Sequence, residues 1–360
     1  MKAIVMAAGK GTRLLPLTAT RPKPMVPILN NPIIDSMLLA VRNAGITDAT
    51  ILVDYLSDQI VHHIGDGSKF NMKVDYTTGN IKRGTAGAVK NAIQNEKEPF
   101  VVVSADVLTN IELKEIVDSH TNSNAQVTMM LTKVTDTSQY GVALLNEKDM
   151  IVKFQEKPKR EDAFSNLVNA GIYVCDPDAF SNVPEGAEFD FSKDLFPLML
   201  RRDMQIHGYS FDGYWNDVGQ PSTYLAATED VVDGRLEKRQ DRTLPYPDEP
   251  TFGRLITGRN CEIAASAMID DFAVLGDNVR IGRGVRLSRC VIYSNSEIGD
   301  SSAVSEAIVG EGVTIERAVT LDQGVVIGDM SRIGEESRIG HNIRIWHHSR
   351  LGPGTKMLHT

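Results

Sequence analysis

The 360-residue sequence contains only three cysteines, Cys175, Cys261 and Cys290. Their number is odd and their spacing suits no metal site, so a disulfide scaffold and a structural zinc are both set aside in favour of a reducing compartment. There is no apolar run near the length that crosses a bilayer. The N-terminus carries one lysine and then a strand, with no hydrophobic leader or cleavage site, so a cytoplasmic protein with no membrane partner is expected. Positive charge is not in surplus either. A formal net charge of −9 argues against a sequence-independent grip on nucleic acid, which needs clustered cations. Two phosphate-binding strings are missing as well. No Gly-Lys-Ser/Thr follows a glycine and a four-residue gap, which removes the P-loop. The dinucleotide fingerprint fails because Leu14 stands where its third glycine belongs.

What the chain does have begins at once. Ala3-Ile4-Val5-Met6 is a short apolar run of the kind that fills a buried parallel strand. It leads into Ala8-Gly9-Lys10-Gly11-Thr12-Arg13-Leu14-Leu15-Pro16-Leu17-Thr18, followed by Arg21-Pro22-Lys23-Pro24. Glycines let backbone N–H groups approach an anion, and two cations among prolines, Arg13 and Lys23, neutralise it. A triphosphate suits that arrangement.

Further apolar runs, at Ala49–Val53, Val74–Tyr76, Phe100–Ser104 and Val127–Thr132, alternate with helical patterns at Ile33–Asn43 (stopping at Gly45), Thr85–Gln94 and Ile111–Ser119. The alternation predicts an α/β fold: a mainly parallel sheet with helices on both faces. Ligands of such sheets sit beyond the carboxyl ends of the strands. Both the glycine loop and Asp106, which ends the run Phe100–Ala105, occupy that position. Asp217, in Gly213-Tyr214-Trp215-Asn216-Asp217, presents a second carboxylate. Two carboxylates beside a triphosphate make a plausible Mg²⁺ site, because Mg²⁺ takes oxygen ligands and shares them with phosphates.

Composition shifts over residues 233–258, where charged residues and prolines interleave, and this stretch reads as a linker between a catalytic domain over 1–232 and a second domain over 259–360. In that second domain aliphatic residues recur every sixth position from Ile263 to Leu287. The register shortens around Ile292, Ile298 and Val304, then resumes from Val309 to Leu351. A period of six fits the sides of a prism, each pointing one aliphatic residue inward, so that stacked coils bury a continuous column. Its end coil must be covered, by the catalytic domain or by a neighbouring subunit; a homo-oligomer built through this domain is expected, with a role in assembly and stability.

The glycine loop resembles the signature Gly-x-Gly-Thr-Arg-Leu-x-Pro-Leu-Thr, with Pro-Lys-Pro downstream, of the sugar-1-phosphate nucleotidylyltransferases, over Met1 to about residue 230. The repeats resemble those of hexapeptide left-handed β-helices. The resemblance implies an enzyme that joins a nucleoside triphosphate to a sugar 1-phosphate, with GTP and mannose 1-phosphate favoured. Thymidylyl or uridylyl transfer to glucose or N-acetylglucosamine 1-phosphate comes second. It further implies catalytic roles for Arg13 and Lys23, nucleotide binding by Ala8, Gly9, Gly11, Thr12, Gly84 and Thr85, and Mg²⁺ on Asp106 and Asp217. Sugar-phosphate contacts fall to Glu156, Lys157, Asn169, Gly171 and, at the position of a phosphate-binding lysine, Lys193. Small residues around Gly84 would leave helix-start N–H groups free for the nucleoside. One departure stands out: Ala105 occupies the place where the family usually has glycine. A non-catalytic subunit on this scaffold is disfavoured, because both cations and both aspartates are retained. An acyltransferase β-helix is disfavoured because the register from Val309 to Leu351 leaves no room for an acceptor loop. Cys175, after Ile172-Tyr173-Val174, reads as core, and His207, His341, His347 and His348 as bystanders.

Overall fold

A computed structural model describes residues 1–78, 84–236 and 254–358. Most of the expected linker, 237–253, lies outside the described residues. By contact the chain divides into two compact units. One comprises Met1–Gly9 and Ile34–Trp215, the other Lys10–Ile33 and Asn216–Thr360. The loop that follows the first strand therefore packs with the C-terminal part of the chain.

The first unit is built on a nine-stranded sheet. Strands β1 (Ala3–Met6), β2 (Asp48–Val53), β3 (Lys73–Thr78) and β4 (Phe100–Ser104) are its parallel part, in the order β4-β1-β2-β3. Each falls where the apolar runs predict, within two residues. A short strand, β5 (Val107–Thr109), lies outside this sheet. The rest of the sheet comprises β6 (Val127–Lys133), β7 (Gly141–Leu145), β8 (Ile151–Glu156), β9 (Leu167–Cys175) and β10 (Ile206–Ser210). Here β9 runs antiparallel to β4, β6 and β7, while β10 is parallel to β6. The sheet is thus mixed, with its parallel half at the N-terminus. Helices α1 (Ile33–Asn43), α2 (Ser57–Ile64), α3 (Gly84–Ala92), α4 (Leu113–Ser123) and α5 (Phe196–Arg201) accompany it. The core holds Phe100, Val102, Met129, Tyr173, Phe191 and Phe196. Cys175 lies in it fully buried, which pushes its thiol well above the usual range, so it is packing and not a nucleophile.

In the second unit α6 (Pro221–Val232) precedes a prism of three sheets, each of six parallel strands, consistent with a left-handed β-helix. Its first strand, Leu255–Thr257, pairs with Ala273–Leu275, so coiling starts inside the stretch read as linker. The register is that of the sixfold repeat: Leu275 faces Ile292, then Val309, Ile327 and Ile345 up one side. The shortened spacings are two five-residue sides, Leu287 to Ile292 and Val304 to Val309, which drop one residue at the same corner and leave the ladders aligned. The inward column is almost completely buried from Leu275 to Ile345, while in the first coil Ile269 is partly buried and Ile263 is 36% exposed. Each such aliphatic side chain contributes about 1.5–3 kcal/mol of transfer free energy.

Two of the three faces carry charged or exposed residues outward, such as Arg280, Arg332 and Arg350 on one and Arg286 and Arg338 on another. The third differs. Its outward positions Ile256, Val274, Val291, Ile308 and Val326 are all at most 4% exposed, and its last strand ends the series with Arg344. Successive side chains of a strand alternate between faces, so this sheet is apolar and buried on both sides.

Candidate active site

The loop after β1 is built from its own turns. Gly11 sits at φ 62°, in the left-handed region, and a Cβ there would lie 2.8 Å from Lys23 Cβ. Only glycine meets both demands. The Thr18 hydroxyl donates to Gly11 O over 2.8 Å, tying the two limbs together. Thr12 opens a single 3₁₀ turn that carries Arg13. Lys23 opens another, after Pro22 has fixed an extended entry.

Those turns bring three predicted residues together in the second unit. Lys23 Nζ donates to Asp217 Oδ1 over 2.9 Å, and Arg13 Nη2 lies 3.5 Å from Asp217 Oδ2. Lys23 is 6% exposed while half of the Arg13 side chain faces solvent. Asp217 thus faces both loop cations, and the half-exposed Arg13 guanidinium also faces solvent. A Cβ on Gly219 would lie 2.9 Å from Arg13 Nη2, the flexible end of that side chain.

The remaining predicted residues belong to the first unit. Ala8 and Gly9 leave the carboxyl end of β1. A Cβ on Gly9 would meet nothing within 4 Å among the described residues, so none of them requires glycine there. Asp106 lies in the turn between β4 and β5, behind Ala105, whose N–H donates to Met6 O over 3.1 Å and whose side chain is fully buried. The methyl that departs from the family pattern thus packs inward.

At Gly84 the helix start is engaged in part: Gly87 N–H donates to Phe189 O, the Thr85 hydroxyl donates to Asp190 Oδ2 over 2.8 Å, and Phe191 N–H donates back to Thr85 Oγ1. A Cβ on Gly84 would lie 2.6 Å from the Phe189 carbonyl, so glycine is demanded by the chain itself. Asn169 is likewise committed. Its Nδ2 donates to Tyr173 Oη and Ser192 Oγ and its Oδ1 accepts from Gly171 N–H, fixing the irregular bend of β9 at which Gly171 takes φ 76°. Glu156, at the end of β8, has Lys157 Nζ 3.6 Å from Oε1, and Lys157 N–H donates to Tyr140 O. Lys193 is exposed on the turn Phe191–Leu195, its N–H held by Asp190.

The sequence reading passed over residues that hold the loop. Thr20 and Arg21 both donate to Asp329 Oδ2, over 2.6 and 2.8 Å, and Arg344 Nη1 donates to the carbonyls of Arg13 and Leu15, each over 3.0 Å. A signal existed. The outward apolar series Val274, Val291, Ile308, Val326 recurs at every third side, a spacing of 17 or 18, which marks one prism face as covered.

Among the described residues no group of three or more His, Cys, Asp or Glu could hold a metal ion unaided. No helix there is long and apolar enough to cross a membrane.

A profile described as nucleotidyl transferase matches residues 2–234, and one described as GMPPB C-terminal domain matches 251–351. The chain is similar to the mannose-1-phosphate guanylyltransferase of Mycobacterium tuberculosis, 31% identical over 77% of this chain and 80% of that one. It is also similar to the UTP–glucose-1-phosphate uridylyltransferase of Synechocystis sp., 33% identical over 67% of this chain and 66% of that one. The mannose-1-phosphate guanyltransferase of Saccharomyces cerevisiae is 32% identical over 76% and 72%. In fold it resembles a putative glucose-1-phosphate thymidylyltransferase from Bacillus anthracis, with a TM-score of 0.60 and 23% identity over 67% of this chain and 98% of that one.

Proposed function

The chain belongs to the nucleotidyl transferase family, as a sugar-1-phosphate nucleotidyltransferase, and from that premise we propose that its substrates are GTP and mannose 1-phosphate, giving GDP-mannose and pyrophosphate. The observation that carries the reaction is the pair of loop cations, Lys23 and Arg13, gathered on Asp217. An oxygen of the sugar phosphate, already ionised near neutral pH, attacks the α-phosphorus of the nucleotide in line. The bond to the β-phosphate bridging oxygen breaks, and pyrophosphate leaves with that electron pair. No protein nucleophile is needed, so the protein's work is positioning and charge stabilisation.

Arg13 and Lys23 meet the growing charge on the leaving pyrophosphate. The open space at Gly9 would be filled by a Cβ, which suits close approach of a phosphate to the backbone. Glu156 and Lys157 are the proposed contacts to sugar hydroxyls and sugar phosphate. Asn169, whose amide is used within the chain, shapes that region. Thr85 holds the 189–191 segment, and Lys193 is left as an exposed cation near it. Mg²⁺ is the proposed cofactor, with Asp106 and Asp217 as carboxylate ligands. Such oxygen donors suit it, and when bound it would screen the α-phosphate charge.

GTP and mannose 1-phosphate are favoured by the match of the C-terminal profile together with the guanylyltransferase relatives. The Synechocystis relative supports uridylyl transfer to glucose 1-phosphate as the second reading. A panel decides between them: each nucleoside triphosphate against each common sugar 1-phosphate, with Mg²⁺ and pyrophosphate release as the signal. The highest kcat/KM for GTP with mannose 1-phosphate is expected; a higher value for UTP or dTTP with a glucose phosphate overturns the substrate assignment.

A further inference from the structure

The prism repeats one corner device. At Gly258-Arg259 the backbone N–H of Arg259 donates to Asp277 Oδ1 of the next coil, and the guanidinium of the same residue grips Asp277 Oδ2 over 2.7 Å. At Gly282-Arg283 the pattern recurs on Asp300, with the N–H on Oδ1 and the guanidinium on Oδ2. At Gly310-Glu311 the backbone half survives, Glu311 N–H donating to Asp329 Oδ1 over 2.8 Å. The side-chain half cannot, because position 311 is acidic.

The missing guanidinium comes from Arg21, two residues before Lys23. It reaches Asp329 Oδ2 over 2.8 Å and Glu311 Oε2 over 3.2 Å and lies 4.7 Å from the ring centre of buried Tyr293, leaving its side chain 15% exposed. Thr20 adds a bond to the same Asp329 oxygen. At the other end of the loop Arg344, the one charged residue closing the apolar face, bridges the carbonyls on either side of Leu14, those of Arg13 and Leu15. The two cations of the site are therefore each held, within two residues, by a charge-assisted contact from the β-helix.

We propose that Asp329 and Arg344 are positioning residues for nucleotidyl transfer, which hold the loop carrying Arg13 and Lys23 in register for the triphosphate. This rests on the function proposed above. It also changes the role of the β-helix, which the repeat pattern alone assigned to assembly and stability: its coils become part of the frame of the site. Charge-assisted bonds in a half-buried setting suit that task because they fix direction as well as distance. Displacing a reacting group by about 1 Å costs on the order of a hundredfold in rate.

The test compares Asp329→Ala and Arg344→Met with Asp277→Ala in the full-length chain. Asp277 holds the equivalent corner three coils earlier, where the partner is Arg259 and the loop takes no part, so it reports the cost of losing a corner alone. Asp329→Ala and Arg344→Met are expected to lower kcat/KM for the nucleoside triphosphate roughly ten- to hundredfold. KM for the sugar 1-phosphate should stay within about twofold, and amide exchange of residues 10–23 should accelerate. Asp277→Ala should change none of these, whatever it does to the melting temperature. Arg344→Lys, which keeps a cationic donor, should recover part of the loss. If both variants match Asp277→Ala in kinetics while the wild type is active, the positioning role is wrong and the reaction stands. A wild type inactive across the whole substrate panel overturns the reaction, and the positioning role with it.

Discussion

Lys23 Nζ donates to Asp217 Oδ1 over 2.9 Å, with the lysine almost wholly buried and the carboxylate about one-fifth exposed. The lysine is held by the residue proposed as a metal ligand, so neither can be altered without disturbing the other. Lys23→Ala is expected to lower kcat by roughly a hundredfold or more, the usual loss for a preorganised charge contact that strengthens in the transition state. Steady-state kinetics on a variant with an unchanged circular dichroism spectrum checks this, and unchanged turnover would remove Lys23 from the reaction.

Two glycines two residues apart should behave oppositely. Gly11→Ala places a side chain at φ 62° and 2.8 Å from Lys23 Cβ, and should destabilise the protein by about 1–3 kcal/mol. Gly9→Ala meets nothing among the described residues and should leave stability within about 0.5 kcal/mol. Its activity should nevertheless fall, because the methyl occupies space proposed for phosphate. Denaturant titration beside kinetics separates the two, and an active Gly9→Ala enzyme contradicts phosphate approach at that point.

Much of this was legible in the sequence, for a physical reason. β1, β4 and α1 follow from local apolar patterning, and their ends coincide with the predicted ones. The prism followed from a period that no helix or flat strand produces. Of the antiparallel half of the sheet only β6 was read. β8 runs Ile-Val-Lys-Phe-Gln-Glu, with Val152 53% exposed, and owes its place to pairing with β7 more than to its own pattern. Nor was the hold of the prism on the loop. It needs Glu311 to be noticed where two earlier corners have arginine, a difference that means nothing until Arg21 is seen on Asp329.

Asp106→Asn and Asp217→Asn are each expected to abolish activity at millimolar Mg²⁺, and chelation of the metal should abolish it in the wild type. If both serve one ion, the double variant should be little worse than the worse single one. Full multiplication of the two losses, measured as kcat/KM, would assign them separate tasks.

Acid should weaken the second unit. Burial pushes the Glu229 carboxyl up, but hydrogen bonds from Arg254 and Arg289 outweigh this and leave it below its ordinary value; Arg259 lowers Asp277 in the same way. Both folded values lie below the unfolded ones, 4.5 and 3.8. The stability these groups add is therefore complete above the unfolded values and is lost as pH falls through the folded ones. Melting temperatures taken from pH 7 to pH 2 should drop below about pH 4, and Glu229→Gln should flatten that drop. An acid limb identical in the variant contradicts the assignment.

The central claim is that a sugar-phosphate oxygen attacks the α-phosphorus of the nucleotide. The most direct measurement supplies GTP labelled at the α-phosphorus and mannose 1-phosphate labelled at its own phosphorus, then follows both labels by product separation. The account predicts both labels in one nucleotide-sugar, with unlabelled pyrophosphate released in equal amount. A product carrying only one label, or release of inorganic phosphate in place of pyrophosphate, would contradict it.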